Sequence, residues 1–218
     1  MINHSAQKEV LQEDTLDNIY TSSNAIAREP LWQTVSHKHK NLPRTLKQWL
    51  LDPSSLTKKL IDYSTGQLRV EVIEQSIRRA RFSEYKALKL AHHKYVVVRE
   101  VVLYGQEIPL VYARTIMPLS TLKGPLRKLY YLGNRPLGGA LFADPSMRRG
   151  ELEVAPIGQH YLPKRTLNSC SKNLNSSCQP AAFHHNPHHN CWGRRSLFFL
   201  KNKPLLVCEI FLPSLVDQ

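Results

Sequence analysis

Four charged residues stand inside stretches that otherwise read as apolar strands, and these are the places where the chain is equipped for chemistry. Arg99 and Glu100 interrupt Val96-Val-Val-Arg-Glu-Val-Val-Leu103, Arg114 interrupts Leu110-Val-Tyr-Ala-Arg-Thr-Ile116, and Glu209 interrupts Leu205-Leu-Val-Cys-Glu-Ile-Phe211. On a strand, residues two apart share a face. Arg99 therefore sides with Val97, Val101 and Leu103, and Glu100 with Val96, Val98 and Val102. Arg114 lies among Leu110, Tyr112 and Ile116, and Glu209 lies with Val207 and Phe211. A buried charge without a partner is very costly, so each of the four needs an ion-pair partner or a ligand. Two readings satisfy this. In one, two arginines pair with two glutamates inside the protein. In the other, a sealed pocket presents an arginine fork to a carboxylate and a glutamate to a hydroxyl. No Ser-His-Asp arrangement, phosphate loop or metal-ligand motif competes with these readings.

The elements that must position these residues follow from periodicity. Order is expected from about Pro43, where Leu46, Trp49 and Leu50 mark one face of a short helix that stops at Asp52-Pro53. Ser54 or Ser55 can cap a second helix carrying Leu56, Leu60 and Ile61. Leu68, Val70 and Val72 alternate with Arg69 and Glu71 as in a half-buried strand, and 78–90 reads as a charged helix or loop. Tyr95–Tyr104 and Ile108–Met117 form a β-hairpin turned at Gly105-Gln-Glu107. A short helix capped by Ser120 or Thr121 follows, then a Gly-rich loop at Arg135-Pro-Leu-Gly-Gly139 leading into a helical turn. Leu152–Val154 starts a strand, and strands at Arg194–Leu200 and Leu205–Leu212 flank Lys201-Asn-Lys-Pro204. The expectation is a single α+β domain with a six-stranded antiparallel sheet and short helices. Residues 1–40 are polar and read as a flexible extension, so the domain is 41–218, with a polar inserted loop at about 156–190.

Composition narrows the partners. The 218 residues carry a formal charge of +13, although residues 1–29 hold two basic against five acidic side chains. The basic residues come as scattered pairs such as Lys58-Lys59, Arg148-Arg149 and Arg194-Arg195, with no basic helix or zinc-finger spacing. Specific nucleic-acid binding is therefore not expected; a positive field that steers a small anion is. There is no membrane span and no export signal, so the protein is expected in the cytoplasm, as a monomer. Cys170, Cys178, Cys191 and Cys208 then carry no disulfide framework. His184, His185, His188, His189 and Cys191 match no standard zinc spacing, and no metal is expected.

Several segments in order resemble the bacterial chorismate pyruvate-lyase family. They are Trp49-Leu-Leu-Asp-Pro-Ser-Ser-Leu-Thr-Lys-Lys-Leu60, Val98-Arg-Glu-Val-Val-Leu103 and Ala113-Arg-Thr-Ile-Met-Pro-Leu-Ser-Thr-Leu122, then Leu132-Gly-Asn-Arg-Pro-Leu-Gly138, Trp192-Gly-Arg-Arg-Ser196 and Lys203-Pro-Leu-Leu-Val-Cys-Glu-Ile-Phe-Leu-Pro213. The resemblance runs from about residue 43 to 213, excluding the insert. It implies an antiparallel sheet whose ligand is enclosed under helix-turn-helix flaps. It also implies a cofactor-free lyase that splits chorismate into 4-hydroxybenzoate and pyruvate on the way to ubiquinone. The family's carboxylate-binding arginine falls on Arg99, and the acidic residue near the ring hydroxyl falls on Glu209. Its flap position, which packs on the ligand and offers a backbone contact, falls on Leu56, and its Pro-Leu-Gly leucine is Leu137. Arg114 is expected to be structural, paired with Glu100, and Glu209 to lack a permanent cationic partner. The alternative is a non-catalytic ligand-sensing domain of the same fold, as in GntR-type regulators. Those follow a winged DNA-binding domain, for which the residues before 43 are too few and too polar.

Overall fold

The computed structural model describes residues 29–35, 42–91, 94–172 and 191–216. Most of the expected N-terminal extension, and the segment from 173 to 190 with its histidines, lie outside them. The elements run β1 (Gln33–Thr34), α1 (Arg44–Leu50), α2 (Leu56–Tyr63), β2 (Leu68–Arg79), α3 (Phe82–Leu88), β3 (Tyr95–Gly105) and β4 (Ile108–Pro118). After a 3-10 turn at Gly124–Leu129 come α4 (Leu137–Phe142), β5 (Arg148–Arg149) and β6 (Glu153–Ile157). A 3-10 turn at Gln159–Tyr161 precedes α5 (Lys164–Lys172), β7 (Cys191–Leu200), β8 (Lys203–Phe211) and α6 (Pro213–Val216). No described helix is long and apolar enough to cross a membrane.

All strands join one antiparallel sheet in the order β1-β6-β7-β8-β4-β3-β2, with β5 paired to β7. The α+β class stands, but the sheet has eight strands where six were expected. The two additional strands, β1 and β5, are two residues each, too short to show a period of two. β1 falls within the stretch expected to be a flexible extension, and Trp32 beside it packs against the core with Arg195 over its ring at 4.8 Å. The insert also begins later than expected. Ile157, Tyr161, Leu162 and Thr166 are buried, because β6 and the turns after it cover one end of the sheet.

Two tight hairpins set the register. β7 and β8 turn at Lys201-Asn202, and β3 and β4 at Gln106-Glu107, with positive φ at all four residues, as a two-residue turn matching the twist of the strands requires. In the second hairpin a bulge beside Leu103 and Tyr104 shifts the pairing by one residue, so that Glu100 lies opposite Arg114 and Arg99 opposite Thr115.

Each face of the sheet carries two apolar clusters with charged residues between them. On one face Val101, Leu103, Val111 and Phe211 pack under α1 and α2, and Val97, Met117, Leu205 and Phe198 pack under the 124–129 turn and α4. Arg99, Thr115 and Glu209 lie in the gap. On the other face Val102, Tyr112 and Ile210 form one cluster and Val96, Val98, Ile116 and Cys208 the other, with Glu100 and Arg114 between them.

Candidate active site

The gap on the first face is a cavity of about 630 Å³, counting the open solvent at its mouth. Cross-strand register builds its floor. Arg99, Thr115, Val207 and Ser196 form one row across the sheet, and Val101, Ala113, Glu209 and Arg194 the next. Arg99 stands on β3 and Glu209 on β8 with β4 between them, which separates their backbones by about 10 Å at ordinary strand spacing. That leaves room for one six-membered ring between two long side chains. Leu56 and Leu137, each the first residue of its helix, line the roof, with Thr57, Gly138, Leu141 and Phe142 beside them. All four residues singled out from the sequence, Arg99, Glu209, Leu56 and Leu137, thus line one cavity.

Local chemistry explains the roof. Asp52 accepts from the Ser54 N–H at 2.8 Å and from Lys59 Nζ at 2.8 Å, which fixes the turn between α1 and α2. The Ser55 hydroxyl caps α2 by accepting from the Lys58 N–H at 3.4 Å. Arg194, 1% exposed, ties this turn to the sheet by donating from Nη1 to the carbonyls of Trp49 at 2.9 Å and Asp52 at 2.6 Å. A side chain at Gly138 would place its Cβ 3.2 Å from Thr57 Cβ and nearer still to Thr57 Oγ1, so only glycine lets α4 approach α2 this closely.

The charged groups divide sharply. Arg114 donates from Nε and Nη2 to both oxygens of Glu84, at 2.6 and 3.0 Å, and from Nη1 to Glu100. Arg78 adds a bond to Glu100 at 2.8 Å. Arg114 and Glu100 are thus internal ion-pair members on the face away from the cavity, as expected, with Glu84 a partner the strand pattern did not reveal. Burial works to raise the Glu84 carboxyl, but the charge and hydrogen bonds of Arg114 outweigh it and hold the group below its ordinary range.

Arg99 is different. It is 2% exposed, and Nη2 donates to the carbonyls of Gly133 at 2.7 Å and Arg135 at 3.1 Å. Its Nε is buried without a hydrogen-bond partner among the described residues, and no carboxylate there pairs with it. Burial alone pulls the guanidinium below its ordinary value, although an arginine remains charged. The two carbonyls orient the fork and leave a cationic edge for a ligand.

Glu209 corrects an expectation. It has a permanent cationic partner, because Arg194 Nε donates to Oε2 at 2.6 Å. Arg194 stands directly across from it in the β7–β8 hairpin, and the carboxylate keeps 19% exposure on the cavity side. The sequence reading missed Arg194 and Arg149 as lining residues. A two-residue turn at Lys201-Asn202 would have placed Arg194 opposite Glu209; Arg149, on a strand of two residues, left no such signal. Cys208 offers no nucleophile, since burial pushes its thiol up to about 12.

A partly open, mostly apolar cavity on an antiparallel sheet has at one end an arginine that pairs with no carboxylate among the described residues and at the other a glutamate, an arrangement suited to a small anion. The chain belongs to the chorismate lyase family, whose profile, "Chorismate lyase", matches residues 26–218. It is 37% identical over 173 residues to "Probable chorismate pyruvate-lyase" of Methylococcus capsulatus, covering 79% of this chain and 97% of that one. It is also 37% identical to the protein of the same name from Psychromonas ingrahamii, covering 78% and 83%. Among solved structures, the C-terminal domain of the histidine utilization repressor from Pseudomonas syringae covers 68% of this chain and 93% of its own, at 12% identity and a TM-score of 0.44.

Proposed function

We propose that this protein is a chorismate pyruvate-lyase that converts chorismate to 4-hydroxybenzoate and pyruvate without a cofactor. The observation that carries this reading is Arg99, a buried cation held by two carbonyls whose free edge faces the cavity. A buried cation without a counter-ion is costly, so an anion is its natural complement, and a guanidinium fork matches a carboxylate. Arg99 anchors the ring carboxylate and Glu209, at the far end, takes the hydroxyl on C4. Leu56 and Leu137 pack on the ring. Their N–H groups begin helices and have no intrahelical acceptor, so they are available to the ligand.

The reaction asks little covalent chemistry of the protein. The C4–H electrons complete the aromatic ring, the C3–O bond breaks, and the ether oxygen leaves with its electron pair as the enolate of pyruvate. That enolate takes a proton on its terminal carbon. Aromatisation drives the step, so the cavity contributes orientation and stabilises the charge on the departing oxygen. Glu209, oriented by Arg194, handles the proton at the C4 end. The product supplies the ring of ubiquinone, and the protein works as a cytoplasmic monomer.

The test is purified protein with chorismate, following ultraviolet absorbance and an enzymatic assay for pyruvate. Equal amounts of 4-hydroxybenzoate and pyruvate are expected. Tight binding of 4-hydroxybenzoate with no pyruvate formed would replace the enzyme with a ligand sensor.

A further inference from the structure

We propose that Arg149 is a second carboxylate anchor of the cavity and binds the carboxylate of the enolpyruvyl group that leaves. This rests on the placement of the ring between Arg99 and Glu209.

Three arginines and one glutamate line the cavity among the described residues: Arg99, Arg149, Arg194 and Glu209. Arg194 is spoken for by Glu209 and two carbonyls. Arg99 and Arg149 remain, a surplus of two positive charges. Arg149 Nε donates to the Ser196 hydroxyl at 3.1 Å and Nη1 to the Pro53 carbonyl at 2.9 Å. Both acceptors are neutral, and Arg149 makes no ion pair among the described residues. Asp52, the nearest candidate on the roof, is already engaged by Lys59 and Ser54. Burial, and after it the charge of Arg194, draws the Arg149 guanidinium below its ordinary value against smaller opposing pulls from Glu209 and Asp52.

Position selects the ligand group. Arg149 bonds Ser196, which stands two residues from Arg194 on the same face of β7, and Arg194 lies opposite Glu209, so Arg149 belongs to the Glu209 end of the cavity. Chorismate carries its two carboxylates at different places: one on C1, and one on the enolpyruvyl ether at C3. With the C1 carboxylate on Arg99 and the C4 hydroxyl at Glu209, the C3 substituent must project beside Glu209. Its carboxylate then needs a cation at that end, and Arg149 is the one there with no ion pair among the described residues. A guanidinium there also faces the ether oxygen's side of the molecule, where negative charge grows as the C3–O bond breaks. The same contact is lost once pyruvate leaves, so Arg149 distinguishes the substrate from the ring product.

Two stable probes separate this role from a structural one: 4-hydroxybenzoate, with one carboxylate, and 3-(carboxymethoxy)-4-hydroxybenzoate, with a second carboxylate on an ether at the ring position corresponding to C3. Their affinities are measured by calorimetry for wild type, Arg149→Met and Arg149→Lys, beside steady-state kinetics with chorismate. Arg149→Met is expected to bind 4-hydroxybenzoate within about twofold of wild type, but to lose on the order of ten- to a hundredfold for the dicarboxylate and in kcat/KM. Arg149→Lys should recover part of that loss. Equal weakening toward both probes would assign Arg149 to the Pro53 contact alone and overturn the proposal, as would no weakening toward either. Should Arg149→Met not fold, Arg149→Gln retains a donor for Pro53 and is read the same way. A wild-type protein that neither turns over chorismate nor binds 4-hydroxybenzoate would instead defeat the lyase reading itself.

Discussion

Arg99 and Glu209 show how neighbours, rather than residue type, assign a charge its task. Arg114 is as buried as Arg99, yet two carboxylates neutralise it, whereas Arg99 has only carbonyls. Arg99→Ala should therefore lower kcat/KM for chorismate by about 10²-fold or more while the protein stays folded, since the loss falls on a ligand contact. Arg99→Lys should recover only part, because an ammonium lacks the fork. Circular dichroism melts with and without 4-hydroxybenzoate check this; an unfolded Arg99→Ala that the ligand no longer rescues would make Arg99 structural. For Glu209→Gln, turnover should fall by roughly 10²-fold, the usual scale for a general acid–base group. Stability should fall too, by on the order of 2 kcal/mol, because Arg194, 1% exposed, loses its counter-ion. Unchanged kinetics in Glu209→Gln would leave the residue with a positioning role only.

Among the elements, α4 meets α2 at the cavity's edge, where a Cβ at Gly138 would stand 3.2 Å from Thr57 Cβ. Gly138→Ala should prise the two helices apart by several tenths of an ångström. The expected outcome is a several-fold rise in KM for chorismate and faster dissociation of 4-hydroxybenzoate in stopped-flow, with little change in melting temperature. Thr57→Ala in the same protein removes the nearest atom, Oγ1, and should restore most of the loss. A double variant as impaired as Gly138→Ala would place the effect in the conformation of α4 rather than in the contact. The Arg194 bonds to Trp49 and Asp52 hold the other side of the roof, so the arginine that pairs with Glu209 also anchors the roof above it.

At the scale of the whole molecule, the sheet separates two kinds of electrostatics. On one face Arg99 and Arg149 form no ion pair among the described residues, and the other face pairs its charges internally in Arg78, Glu84, Glu100 and Arg114. The internal network links α3 to the sheet, and it makes stability depend on pH. Glu84 is held below its ordinary carboxyl value of 4.5, so the unfolded chain binds its proton first as the pH falls. Its contribution is complete above about pH 4.5 and is lost progressively below that, as the pH drops toward the folded value. Urea unfolding between pH 3 and 7 should show this decline, and Glu84→Gln should be less stable at neutral pH by about 3 kcal/mol with a flatter acid limb. An acid limb as steep in Glu84→Gln as in wild type would move the pH dependence to other carboxylates.

The sequence by itself determined the α+β class, the principal hairpins and the four residues that meet in the cavity. Alternation of period two marks a strand and its faces without knowledge of the partner strand, so a charge on an apolar face is visible at once. The resemblance then assigned Arg99, Glu209, Leu56 and Leu137. What it could not determine was pairing. The bulge beside Leu103 decides that Arg114 meets Glu100; without it Arg114 would change faces and Arg99 would lie opposite it. Glu84 reaches Arg114 from a helix and Arg149 enters the cavity from a two-residue strand, and neither distance is encoded in a local period. β1 and the buried residues after Pro156 took shape only against the sheet that receives them. Local pattern fixes which groups must be buried; only tertiary contact decides which of them are neutralised there, and so which remain for a ligand.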